Sequence, residues 1–271
     1  MHAIAHRRSP LTGAIQPWRV LALTIFLFLF AATGVAHAQD KLRIATEGAY
    51  PPWNFQDAQG QLQGWDIDIA NAVCAKMKVQ CEIIAQEWDG IIPSLLAKKY
   101  DLIVASMAMT PARRERVAFS DKYKDTISQF VVRKGAVTGI KPSDFKGKRI
   151  GVQRGASQHK WLETEGYDKT AELKLYDKTT DVELDLLSGR IDAMIGNKAT
   201  YFTGFFKKPE AKDFEFIGPD LAGGMLGEGS AIAMRKEDVA LLARVNKALA
   251  EIRADGSYDT ISRKYFPFKL M

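Results

Sequence analysis

Histidine and cysteine are scarce in this chain of 271 residues: four His and two Cys. Three of the histidines, His2, His6 and His37, fall within the first 38 residues, so His159 alone remains beyond that point. One His and two Cys cannot assemble a structural zinc site of four N/S ligands within one chain, so no metal or other cofactor is expected. No C-x-x-C redox motif and no phosphate-binding P-loop are present. Beyond residues 20–36 there is no long hydrophobic run, which argues against a polytopic membrane protein. An excess of one sign of charge is also nearly absent. The formal charge is +6, from 38 basic and 32 acidic residues. Removing Arg7, Arg8 and Arg19 with the first 38 residues, which hold no Asp or Glu, lowers that +6 to +3. So small an excess does not call for nucleic acid as a partner.

What is present is the composition of an ordinary globular protein, 46% hydrophobic and 26% charged, long enough for two modest domains. The opening segment reads as a secretory leader. A basic n-region precedes the apolar run VLALTIFLFLFAATGVA, and Ala36-His37-Ala38 supplies small residues for cleavage after Ala38. Export to the periplasm follows as an expectation. In that compartment Cys74 and Cys81 are expected to form a disulfide. Seven residues along one helix span about 10 Å, beyond the ~7 Å reach of a bridge, so a helix must end between them, at Met77-Lys78. Closing so short a loop stabilises by about 2.5 kcal/mol in the chain-entropy model.

Short apolar runs alternate with helical patterns through the rest of the chain. Strands are predicted at 41–46, 81–86, 101–106, 148–153, 171–176, 191–196 and in AIAM at 231–234. Helical spacing is predicted at 66–77, 90–98, 157–165, 180–188, 237–254 and 257–265. This alternation implies an α/β fold with mainly parallel sheets flanked by helices, and the Gly- and Pro-rich stretch 134–148 suggests two lobes. The glycines of 218–230 suit either a flexible crossing segment or a surface loop.

Ligands of open α/β sheets bind beyond the carboxyl ends of strands. The first strand ends in ATEGAYPPWNF, which puts Glu47 and Tyr50 there, with Pro51-Pro52 stiffening the turn. AQEWDG places Trp88 at the same level. Two aromatics there suit a flat or cationic group, although each taken alone would also suit a core. In ASMAMTPARRERVAF, Thr110 and Pro111 read as N-cap and first helical residue, with Arg113 close to free backbone donors. A guanidinium beside such donors makes a carboxylate clamp, whereas Arg113, Arg114 and Arg116 together would equally make a solvated face. GVQRGASQ is a second strand-glycine-helix turn, where the Ser157 amide could meet the same carboxylate.

Taken in order, ATEGAYPPWNF, GWDIDIANAVCAKM, EWDGIIPSLLAKKYDLIVASM, MTPARRERVAFSDKY, GKRIGVQRGAS, LLSGRIDAMIG and RADGSYDTISRKYF closely resemble the periplasmic solute-binding proteins of polar amino acid ABC importers. The likeness spans residues 41–268 and leans toward the lysine/arginine/ornithine, histidine and opine binders. It implies the two-lobed periplasmic-binding-protein fold of type II: residues 39–124 and 231–271 as lobe 1, 128–221 as lobe 2, and hinge segments 125–127 and 222–230. It implies a small-molecule ligand trapped by hinge closure and passed by a monomer to an inner-membrane ABC permease. Tyr50 and Trp88 match stacking positions, Arg113 the carboxylate clamp, and Glu47 an acidic position that reads a distal cation. Ser106, Gln153, Ser157 and Gln158 match further pocket positions. The chain departs from the pattern at Ala108, where the family has serine, and at Asn197, where it has the aspartate that binds the ligand's ammonium. Both departures touch the same ligand group, and an N-substituted amine flanked by a second carboxylate, as in an opine, would suit them. A plain basic amino acid with a neutral partner for its amine is the alternative. A sensory receptor with the same cleft, or a dehydratase on the same fold, are the competing functions. One histidine and one evident cleft carboxylate leave little for acid-base catalysis.

Overall fold

A computed structural model describes residues 41–271; the expected leader, 1–38, and its cleavage point lie outside the described residues. Residues 39–271 fall in one unit. Within it the strands are β1 (Lys41–Thr46), β2 (Ala49–Tyr50), β3 (Asn54–Gln56), β4 (Leu62–Gln63), β5 (Gln80–Ala85), β6 (Leu102–Ile103), β7 (Ala118–Phe119), β8 (Ser128–Arg133), β9 (Arg149–Gln153), β10 (Glu172–Tyr176), β11 (Ala193–Asn197), β12 (Phe214–Leu221) and β13 (Ala233–Met234). The helices are α1 (Trp65–Met77), α2 (Trp88–Leu96), α3 (Pro111–Arg114), α4 (Ser157–Thr164), α5 (Thr179–Leu187), α6 (Lys198–Thr203), α7 (Val239–Ala254) and α8 (Ser257–Tyr265).

Two five-stranded sheets result, with orders β5-β1-β6-β13-β7 and β10-β9-β11-β8-β12. In each sheet one strand runs against the other four: β13 in the first and β8 in the second. The cause is connectivity. Parallel neighbours such as β1 and β5 are joined through a crossover helix, α1, whereas β8 and β13 are the strands by which the chain arrives from the other sheet. Both faces of each sheet are covered, as parallel-rich sheets require. Along β1 and β6 successive residues alternate between cores, with Ile44, Leu102 and Val104 packed on one side and Ala45, Ile103 and Ala105 on the other. In β8, Phe130 and Val132 face one core and Val131 the opposite one.

The predicted helices are present within one or two residues of the expected ends. The strand predicted at 101–106 is cut to Leu102–Ile103, although Val104 still donates to Ala45 O; Ser106, beyond it, adopts φ +49°. Strands β8 and β12, antiparallel partners, were not predicted. Cys74 and Cys81 form a disulfide with a Cα separation of 6.2 Å. The bridge is possible because α1 ends at Met77, where Lys78 takes a left-handed conformation at φ 56° and hands the chain to β5.

The chain crosses between the sheets twice, between β7 and β8 and between β12 and β13. The crossings touch each other. Lys124 and Ser230 form an antiparallel bridge, and the hydroxyls of Thr126 and Ser230 stand 2.8 Å apart.

Candidate functional site

The carboxyl ends of β1, β5, β6, β9 and β11 converge on one cavity between the sheets. Its walls include all ten candidate residues: Glu47, Tyr50, Trp88, Ser106, Ala108, Arg113, Gln153, Ser157, Gln158 and Asn197. Thr126 also lines it and was not foreseen as a site residue, because a threonine in a crossing segment carries no motif. The cavity measures about 40 Å³, room for a few waters. Side chains from each lobe reach across it.

Glu47 leaves the end of β1 and is buried. The turn beyond it is fastened by Asn54, whose Oδ1 accepts the Gly48 amide at 2.8 Å. Gln153, at the end of β9, donates from Nε2 to Glu47 Oε1 at 2.6 Å. Burial is the main influence on Glu47 and lifts its pKa to about 7, against the opposing pull of the Gln153 bond. Tyr50 sits on β2. Its hydroxyl accepts from Thr200 Oγ1 at 3.1 Å, and the same threonine oxygen accepts the indole N–H of Trp53 at 2.7 Å.

Trp88 begins α2 and is half-buried, with the Arg113 guanidinium 5.0 Å from its ring centroid. Thr110 caps α3 as expected, accepting the Arg113 amide at 3.3 Å. The three arginines of this segment separate. Arg114 lies over Phe119 near Glu228 and Arg116 is exposed, while Arg113 turns into the cleft. There its Nη1 donates to Ala108 O at 3.0 Å and its Nη2 crosses to Gly155 O at 3.1 Å. With carbonyls and no carboxylate around it, the enclosed guanidinium is held by burial at a pKa of about 10.

The second lobe supplies neutral groups. Gly155 holds φ +68°, a conformation that favours glycine, and stands close to the Asp89 carboxylate of the facing lobe. Ser157 opens α4 and is buried with Gln158, whose Nε2 donates to Ser128 Oγ at 2.8 Å. Asn197 ends β11 and caps α6: its Oδ1 accepts the Thr200 amide at 3.2 Å. That bond takes one of the two lone pairs of Oδ1 and leaves both Nδ2 protons available. His159 stands apart from these lining residues, its Nδ1 accepting the Gly155 amide and its Nε2 3.3 Å from Glu163.

Two α/β lobes, two crossings and a polar cleft at the strand ends define a solute-binding architecture. The chain belongs to the bacterial extracellular solute-binding proteins, family 3, which it matches over residues 42–268. It is 39% identical to the L-arginine-binding protein of Pseudomonas aeruginosa over 250 residues, 92% of this chain and 96% of that one. It is 36% identical to the octopine-binding periplasmic protein of Rhizobium meliloti over 88% of this chain and 94% of the relative. Among solved structures, an ancestral arginine-binding protein bound to arginine superimposes with a TM-score of 0.77 at 36% identity, over 85% of this chain and all of that one.

Proposed function

We propose that the cleft binds a cationic amino acid or an opine derived from one, and that the chain is the periplasmic receptor of an ABC importer. The observation that carries this reading is how Arg113 and Glu47 are partnered. Both are enclosed in one cavity, yet they do not pair with each other, and each hydrogen-bonds only to neutral groups. Gly155 O stands where Arg113 can take a carboxylate, and Gln153 stands where Glu47 can take a cation. A zwitterionic ligand with a distal cation replaces both weak partners with charge-assisted ones. Tyr50 and Trp88 then flank the cationic chain, and Ser106, Ser157 and Gln158 meet the ligand backbone.

Because cross-lobe bonds fill the cleft, a ligand enters only when the lobes part. Segments 125–127 and 222–230 serve as the hinge between lobe 1 (39–124 and 231–271) and lobe 2 (128–221). The capping role of Asn197 bears on ligand choice. Asn197 carries no negative charge, and with one lone pair of Oδ1 on the Thr200 amide its Nδ2 offers donors, which suit the second carboxylate of an opine better than a free ammonium. No chemical step is assigned to the cleft, whose one carboxylate has no titratable partner within hydrogen-bond reach. The leader expected at residues 1–38 supports export to the periplasm, where the proposed receptor acts as a monomer.

A thermal-shift screen of arginine, lysine, ornithine, histidine, octopine and nopaline tests the reading. A ligand at 100 times its Kd adds about 2.7 kcal/mol of stability, an easily seen shift in Tm. If none of the six stabilises the protein, the proposed ligand class is wrong.

A further inference from the structure

Asp66 is not among the residues that line the cleft, yet it is tied to them. It lies in the first turn of α1, wholly buried. Its carboxylate takes three side-chain donors: Asn54 Nδ2 at 2.7 Å and Ser106 Oγ at 2.9 Å on Oδ2, and the Tyr123 hydroxyl at 2.9 Å on Oδ1. Tyr123 accepts the Ser106 amide at 2.9 Å, and the Ser106 carbonyl accepts Ser230 Oγ at 2.9 Å. Ser106 is therefore held by amide, hydroxyl and carbonyl together. This is how a residue with a Cβ is kept at φ +49°.

The direction of the Ser106–Asp66 bond matters for recognition. A serine hydroxyl has one proton, and here it goes to Asp66, so only lone pairs remain for a ligand. Three donors converge on the Asp66 carboxylate, an arrangement that favours its ionised form. Burial pushes the Asp66 carboxyl pKa up; the buried ammonium of Lys124, on the first crossing and 4.1 Å from the Trp53 ring centroid, and the three hydrogen bonds act against that and favour the carboxylate form. Elsewhere around the expected ligand amine, Ala108 has no hydroxyl, and Asn197 offers a neutral carbonyl with one lone pair already on the α6 cap.

We infer that Asp66 is a positioning residue that fixes the hydrogen-bond polarity of Ser106, so that its hydroxyl accepts from the α-N–H of the ligand. The inference rests on the reading of the cleft as a site for an arginine-like ligand. It assigns to a buried residue outside the cleft the amine recognition that Ala108 and Asn197 do not supply.

Asp66→Asn keeps the volume and exchanges an acceptor for a donor. Its test compares L-arginine with 5-guanidinopentanoate, the same chain without the α-amine, using thermal shifts over concentration series that extend to millimolar probe. The variant is expected to weaken arginine at least 10-fold and to leave 5-guanidinopentanoate within about twofold. Ser106→Ala should show the same selectivity, and adding Asp66→Asn to it should change little further. Equal losses for the two probes, or undiminished arginine binding, would overturn the inference and leave the cleft reading standing. Failure of the wild type to bind either arginine or octopine would remove both. Should Asp66→Asn not fold, Tyr123→Phe carries the same test, with a smaller loss confined to the amine-bearing probe expected and an equal loss for both probes counting against it.

Discussion

In lobe 1 the strand order β5-β1-β6-β13-β7 brings Glu47, Trp88 and Arg113 to the cleft; in lobe 2 the matching order β10-β9-β11-β8-β12 brings Gln153, Ser157, Gln158 and Asn197. The topological positions correspond, with the second strands β1 and β9 each delivering a turn and the central strands β6 and β11 each delivering another. The chemistry does not correspond. Lobe 1 supplies both charges and the aromatic rings, and lobe 2 supplies amides, a hydroxyl and a capped helix end. Under the proposed function this difference is a division of labour: lobe 1 would choose a ligand by charge, and lobe 2 would complete its hydrogen bonding when the lobes meet.

The strongest way to break this comparison is at Arg113. Removing its guanidinium takes away the expected carboxylate clamp, and truncating one partner of a buried charge pair costs on the order of 2–5 kcal/mol. Arg113→Ala is expected to lower affinity at least about 100-fold by isothermal titration, and retained affinity would mean that lobe 1 does not clamp the carboxylate.

Glu47 offers a test that separates charge from shape. Its pKa stands near 7 in the folded chain, above that of an ordinary carboxyl, so between roughly pH 4.5 and 7 the folded state keeps a proton that the unfolded state has released. The unliganded protein should therefore lose stability from this group as pH rises through that window and level off above about 7. A cationic ligand prefers the ionised form, so affinity should rise across the same window with release of a proton. Titration calorimetry in buffers of different ionisation enthalpy reads that proton directly. Glu47→Gln should weaken a cationic ligand by about 10- to 100-fold and flatten the profile. A profile unchanged by Glu47→Gln would assign the pH dependence elsewhere.

Smaller effects are expected from lobe 2, as its neutral groups imply. Asn197→Asp preserves the cap on α6, since a carboxylate oxygen accepts the Thr200 amide equally well, and adds a negative charge beside the ligand. Plain amino acids should gain up to about tenfold in affinity and opines should lose a similar factor. The reverse ranking in a competition assay would count against an opine.

Much of the molecule was legible along the chain. The end of α1 at Met77 follows from the reach of a Cys74–Cys81 bridge, and the start of α3 at Thr110 from its Thr-Pro pair. The candidate site residues lie at strand ends or in the short stretches that follow them, and such stretches are local. Strands β8 and β12 were less legible, because they enter by crossing from the facing lobe or pair antiparallel with one that does, and no flanking helix marks them. Arg113 could not be told from Arg114 and Arg116 by pattern alone, since which of the three enters the cleft depends on the short α3 and on a carbonyl 42 residues away.

The sequence by itself determined the class of fold, the staple between Cys74 and Cys81, and which turns carry chemistry, since these rest on periodicity and on interactions within a few residues. The tertiary structure alone decided the partners: Gln153 on Glu47 across 106 positions, Asp66 on Ser106 across 40, Thr200 on Trp53 across 147. The physical reason is burial. A carboxylate, a guanidinium or a hydroxyl has its ordinary properties until neighbours from distant segments exclude water and fix which group donates, and only the folded chain brings those neighbours together.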